Sequence, residues 1–340
     1  MKKKIIIGTL ITLIIMLAAT CIGSQMISPV HTLSILGNKM FHLPLNPNVT
    51  TNEIAIIWEL RLPRVLLAFL VGGSLAASGT VVQSILRNPL ASPFTLGVSS
   101  GASLGAGIVI ISGVSLAGLG MFTLPIVGLL FGLLTVIGSV VLAGKIDSNL
   151  SNNTIVLIGM VFSLFINAIL MSLTAFFREN MEAIVLWQMG SFALKGWQFV
   201  LGILPFFCVG IIGLMFYVRE MDIMTFGEEQ AISAGVETEK VKWILLALTA
   251  VLTGSAVAFA GVIGFIDLIA PHVVRKFFGS AHRYVLPMSI IFGGIFMIVA
   301  DVIARTVIPS AEIPVGVISA LIGAPFFAYV FFKKEKSIDK

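Results

Sequence analysis

Charge is what this chain has least of. Asp, Glu, Lys and Arg together make up 11% of its 340 residues, against about a quarter in an ordinary soluble domain, which excludes a soluble enzyme or binding module. Cysteine is nearly absent. Cys21 and Cys208 both lie in apolar segments without metal or redox spacing, so no disulfide framework is implied. The four histidines form no pair at metal-ligand spacing, and neither a metal nor a cofactor is expected. The nearest approach to a phosphate-binding loop, Gly138 to Lys145, carries Ile146 where Ser or Thr is required and reads as membrane helix. Any ATPase activity must therefore sit on another chain. No Ser, His and Asp set converges on one surface, which argues against a membrane enzyme. The net charge of +5 is spread between apolar runs and forms no basic domain, so nucleic acid is not an expected partner.

What the chain has instead is apolar length. Hydrophobic residues reach 58% and the mean hydropathy is +1.08, the composition of an integral membrane protein with lipid as its surroundings. Charge-free intervals run from Ile5 to Met26, Val65 to Leu86, Asn88 to Gly144, Ser148 to Phe177, Gly196 to Val218, Trp243 to Ile266, Tyr284 to Ala300 and Ile313 to Phe332. A span takes about 20 residues, so the interval from Asn88 holds two, broken at the glycine-rich Gly113 to Gly120. The short segment beginning at Gly264 adds another, and the expected fold is an all-α polytopic protein of about ten transmembrane helices. Ten spans place Lys2 to Lys4, Arg87, Lys145, Arg219, Lys240, Lys242, Arg275, Lys276, Arg283, Lys333, Lys334, Lys336 and Lys340 on one side. Only Lys39, Arg61, Arg64, Arg178, Lys195 and Arg305 fall on the other. The positive-inside rule then makes both termini cytoplasmic. Ala19-Thr20-Cys21 matches a lipoprotein cleavage site poorly, and the apolar run before it exceeds a signal-peptide core, so the first run is read as a span.

Two stretches depart from this plain pattern. Gly264 to Gly279, GFIDLIAPHVVRKFFG, is too short for an ordinary span and holds Asp267, Pro271 and His272. A proline inside an apolar helix frees a carbonyl that lipid cannot satisfy, so this segment lines a watery path or braces one. With Asp301 these residues are the tentative path or gate, and Asp267, His272 and Asp301 are also the inventory on which an ion-coupled secondary transporter would have to draw. Arg219 to Lys242 is the longest cytoplasmic insertion, with apolar residues interleaved among acidic ones and a short helix expected between Gly227 and Gly235. A surface helix with an apolar face and no core of its own points to a partner protein. Along the spans, Gly72 with Ala76 and Thr80, Gly101 with Gly105, and Gly128 with Gly132 form small-residue faces that allow close helix packing.

The motifs carry a resemblance. Arg61-Leu62-Pro63-Arg64, then GGSLAASGTVVQ from Gly72 and RNPLASPFTLGVSSGA from Arg87, resemble the opening of FecCD-type permeases. GFIDLIAPHVVR, Asp301 with Arg305, and EIPVGVISALIGAPFF from Glu312 resemble the later motifs in the same order, over the whole chain, 1–340, as one transmembrane permease domain. Asp267 departs from the glycine common in that family. The resemblance implies a fold like that of the vitamin B12 importer permease, in the bacterial cytoplasmic (cell) membrane. It also implies a permease subunit of an ATP-driven ABC importer for iron(III)-siderophore, a role in iron transport and homeostasis, with haem or cobalamin as alternative cargo. The implied partners are a second permease subunit, identical or a sister, a cytoplasmic ABC ATPase dimer and an extracytoplasmic substrate-binding protein. By the same resemblance Arg61, Arg64 and Arg305 dock the binding protein. The segment about 219–242, with Phe226, Gly227, Glu228, Glu229, Ala231, Ala234 and Gly235, couples to the ATPase.

Overall fold

Backbone polar groups in lipid must be satisfied within the chain, so charge-free runs have one economical solution, the helix. In the computed structural model they adopt it, and no strand occurs among the described residues, which are 2–23, 25–147, 150–308 and 311–338, with side chains from Lys3 to Tyr329. The basic tail residues Lys333 to Lys340 lie outside the described side chains.

The helices are α1 (Lys2–Cys21), α2 (Pro29–Phe41), α3 (Thr51–Ala55), α4 (Leu62–Ile85), α5 (Val98–Ser112), α6 (Thr123–Ile146), α7 (Asn152–Phe176) and α8 (Met181–Gln188). They continue with α9 (Trp197–Phe216), α10 (Val218–Met224), α11 (Glu228–Ser233), α12 (Thr238–Ala260), α13 (Ile266–Phe278), α14 (His282–Thr306) and α15 (Val315–Ile338). Seven of the described helices are long and apolar enough to cross a membrane. The shorter apolar helices Val98–Ser112 and Val315–Tyr329, with the half-span α13, complete the ten expected. The predicted break at Gly113 is real: α5 ends there on a left-handed glycine with φ 63°, a conformation that glycine adopts without steric cost.

The second span starts earlier than its charge pattern suggests. A capping box, with the Thr50 side chain on the Glu53 amide and Glu53 on the Thr50 amide, opens α3. A π-helical turn, Ile56–Arg61, then joins α3 to α4, so that the rod runs unbroken from Thr51 to Ile85. The widened turn lies just before Pro63, which has no amide to close on the Glu59 carbonyl.

Packing follows the small residues. A Cβ on Gly72 would sit on the carbonyl of Gly293, and one on Gly293 would meet the Gly72 carbonyl and Ala76, so α4 and α14 touch backbone to backbone. Gly101 and Gly105 of α5 face Phe131 and Thr135 of α6, while Gly128 and Gly132 of α6 face Ala102 and Val98 in return. These glycines are contact surfaces, the device lipid-embedded helices need where no hydrophobic force drives them together.

The half-span is braced on α4. Pro271 sits inside α13 and leaves the carbonyl of Asp267 without its amide partner. Gln83 of α4 supplies the missing donor, its Nε2 lying 3.4 Å from that oxygen. Gly79 lets the strandless carbonyl come close, since a Cβ there would fall on it. Arg275 completes the chain of contacts by donating to Gln83 Oε1 at 2.7 Å and to the Thr80 carbonyl at 3.3 Å.

Candidate functional site

The fold carries two candidate surfaces at opposite ends of the bundle, one basic and one partly apolar. At the outer end a cavity of about 600 Å³ is lined by Arg61, Arg64, Lys195, Arg305, Glu59 and Glu312, among others. Four of the six basic residues that the charge pattern placed outside thus converge on one concavity. The start of α4, the end of α14 and the turn before α9 deliver them there.

Their engagements differ. Arg64 holds Asp301 with Nε at 2.9 and 3.1 Å and Nη2 at 2.8 Å, and Glu312 with Nη1 at 2.9 Å. Asp301 is 1% exposed and the Glu312 side chain 46% exposed. Breaking a buried pair from one side costs about 3–5 kcal/mol, whereas an exposed pair contributes about 0–1 kcal/mol. The Asp301 edge of Arg64 is therefore fixed and the Glu312 edge exchangeable. Arg305 donates to the Ala19 carbonyl at 2.7 Å, and its Nε lies 3.5 Å from Asp301. The sequence pairs Arg305 with Asp301 one turn away, but the tighter partner of Asp301 is Arg64, on a different helix.

Arg61 does not share an outward face with Arg64. It is 6% exposed, and its guanidinium donates to the carbonyls of Thr20, Cys21 and Gln25. Arg61 closes the π-helical turn and its side chain turns back to the end of α1, whereas Arg64, inside α4, turns to Asp301 of α14. Lys195, which the sequence did not single out, donates to the Phe259 carbonyl at the end of α12. Burial lowers its ammonium to about 7.

At the cytoplasmic end the insertion folds as α10 and α11. Asp222 accepts from the backbone amide of His282 at 2.8 Å and pairs with its ring at 2.7 Å, so α10 caps the start of α14. Within the expected coupling set, Glu228 turns inward to Lys242 at 2.8 Å, and Lys242 also donates to the Leu150 carbonyl. Ala231 is wholly buried, so these two residues position the segment from inside. The face left open carries Phe226, 79% exposed, and Ile232, 59% exposed, with Glu229, Ala234 and Gly235 beside them. Gly227, at φ 132°, makes the turn into α11 that no other residue type takes easily.

The tentative path set divides. Asp267 is buried and accepts a hydrogen bond from the Ser92 hydroxyl, and Pro271 is buried in the α13 brace. With Asp301 closed in by two arginines, these three hold helices together and do not face open space. His272 is half-buried. The signal that the sequence reading passed over was Gln83, a lone amide deep in an apolar interval, where a polar group must have a partner. Among the described residues no group of His, Cys, Asp and Glu is placed to hold a metal ion.

Comparisons with known proteins agree over nearly the whole chain. The profile of the FecCD transport family matches residues 10–333. The cobalamin import system permease protein BtuC of Halobacterium salinarum is 39% identical over 86% of this chain and 77% of its own. The iron-uptake system permease protein FeuC of Bacillus subtilis is 32% identical over 99% of both. A solved chain from an ABC transporter assigned to the metal-chelate type, in an inward-facing conformation, superposes with TM-score 0.84 at 31% identity, covering 98% of this chain and 100% of that one. The α-helical bundle, its spans and these relatives lead to one conclusion: the chain belongs to the FecCD transport family, as a multi-pass ABC importer permease of the bacterial cytoplasmic membrane.

Proposed function

We propose that this permease carries iron(III)-siderophore inward, paired with a second permease subunit, driven by a separate cytoplasmic ATPase dimer and loaded by an extracytoplasmic binding protein. The observation that carries the reading is the pair of opposed surfaces on one bundle. A basic cavity lies at the outer end, and exposed Phe226 and Ile232 lie at the cytoplasmic end, each fitted to a different protein partner. Arginine suits the outer task because its planar guanidinium recognises carboxylate two-pronged, and complementary charge sets orientation and encounter rate. Arg64 carries the docking, with Arg61 and Arg305 shaping the cavity around it. Phe226, Gly227, Glu229, Ala234 and Gly235 form or shape the face that meets the ATPase, while Glu228 and Ala231 hold that face in place. His272 is the remaining candidate for contact with the path.

The cargo is a metal chelate. Relatives named for iron uptake and for cobalamin import align with most of this chain, and iron-siderophore is the cargo that the motif resemblance favours, with haem and cobalamin as the alternatives. A titratable path through Asp301, His272 and Asp267, which an ion-coupled transporter needs, gains no support from an Asp301 enclosed by Arg64 and Arg305. The deciding experiment reconstitutes the permease with its ATPase and binding protein in proteoliposomes and measures uptake of radiolabelled ferric siderophore, with haem and cobalamin as competitors. ATP-dependent, uncoupler-resistant iron uptake is expected. Uptake of cobalamin or haem alone would overturn the cargo, and uptake abolished by an uncoupler with ATP present would overturn the ABC mechanism.

A further inference from the structure

We infer that Glu312 is a built-in stand-in for a binding-protein carboxylate, occupying Arg64 until the partner's acidic side chain displaces it. This rests on the docking reading above and adds a competitor to it. The geometry separates the two edges of the Arg64 guanidinium. Nε and Nη2 grip buried Asp301 at 2.8 to 3.1 Å, and Nη1 reaches Glu312 at 2.9 Å. Only the second acid is exposed, with 46% of its side chain open to solvent, and it lines the cavity. An incoming carboxylate therefore finds one exchangeable position on Arg64, and Glu312 already fills it.

Charge and chain position support the exchange. Arg64 and Arg305 share a single buried carboxylate, Asp301, in a cavity that Arg61 and Lys195 also line, and Glu312 offsets the positive charge left on the free edge of Arg64. Removing Glu312 restores that charge for a partner to meet. Glu312 also precedes α15, which begins at Val315, and is not held in a helix. Its release thus demands no helix to unwind. Because an exposed ion pair contributes little and breaking a buried one from one side is costly, exchange at Glu312 is the step that leaves the Asp301 contact whole.

The test is a double-mutant cycle on the complete permease–ATPase complex in nanodiscs, with the purified cognate substrate-binding protein as the probe. Affinities are measured for wild type, Glu312→Gln, Arg64→Gln and the double variant, at low and high salt. Glu312→Gln is expected to tighten binding about two- to fivefold, and the gain should vanish when Arg64 is also replaced. Where Arg64→Gln fails to assemble because Asp301 is left unpaired, Arg64→Lys serves instead, since a single ammonium spent on Asp301 leaves Glu312 nothing to block. A Glu312→Gln affinity at or below wild type, with Arg64→Gln still weakening binding, overturns the stand-in and keeps the docking reading. A gain that persists without Arg64 assigns it to the general field of the cavity, which also overturns the stand-in. Affinity indifferent to Arg64 and to salt removes the docking reading itself.

Discussion

Asp267 of α13 shows how a single residue is placed by neighbours remote in sequence, one on α4 and one just after it. Its carboxylate takes the Ser92 hydroxyl, and its carbonyl, freed by Pro271, takes Gln83. An amide accepts a hydrogen bond as a carboxylate does, so Asp267→Asn should retain most transport and most thermal stability, whereas Asp267→Leu orphans the Ser92 hydroxyl and should cost about 1 kcal/mol. Uptake assays and melting of the purified protein check both, and complete loss of uptake in a correctly inserted Asp267→Asn protein would return this residue to a proton-carrying role. Gln83→Leu removes the donor for the freed carbonyl and the acceptor for Arg275 together, and should destabilise by about 1–3 kcal/mol, read as a lower melting temperature. The need for such a donor was legible in the sequence, because proline in an apolar helix always leaves a carbonyl over. Its identity was not: nothing in the spacing of 83 and 267 says that α4 and α13 meet. The same holds for Arg64 and Asp301, whose charges were visible and whose pairing was hidden by a separation of 237 residues.

At the scale of the element, the coupling segment was legible in outline and opaque in facing. The glycines at 227 and 235 announced a short helix, and α11 lies between them. Six residues are too few to show an amphipathic period, so the inward turn of Glu228 and Ala231 could not be read before the structure supplied Lys242. The two faces now give opposite expectations. Phe226→Ala with Ile232→Ala removes only exposed apolar surface, and should leave the permease folded while cutting co-purification of the ATPase at least tenfold. Lys242→Met strands Glu228 without its cation, and should lower the stability of the cytoplasmic end by about 1–3 kcal/mol before it weakens the partner. Replacing Gly227 to Gly235 by a flexible Gly/Ser stretch should abolish uptake while insertion persists. Undiminished ATPase yield in that variant would move the coupling contact elsewhere.

Over the whole molecule, burial is distributed unequally. The membrane window of the rod Thr51–Ile85 is 89% buried and that of α7 only 17%. Exposed residues on α7 include Leu157, Met160, Val161, Leu164 and Phe165, and the exposed Asn167 lies in the same mid-span stretch. A polar amide at that depth is unfavourable against hydrocarbon, which favours α7 as the wall that would face the proposed second permease subunit. Leu164→Cys should accordingly form an inter-subunit crosslink in membranes if the pair is identical, and a crosslink to a sister chain if it is not. Labelling of that cysteine by a lipid-soluble reagent alone, with no crosslink to either, would assign α7 to lipid. The contact of Gly72 with Gly293 bears on motion. Where two helices meet through their main chains there is no side-chain layer to repack, and neither can slip along the other without collision. α4 and α14 must then travel as one rigid body, carrying Arg64 and Asp301 at one end and His282 at the other. Any opening and closing of the transporter has to be taken up at its looser seams, so a bulky residue at 72 or 293 would split the lever itself, while one on the exposed side of α7 would only alter what the lever works against.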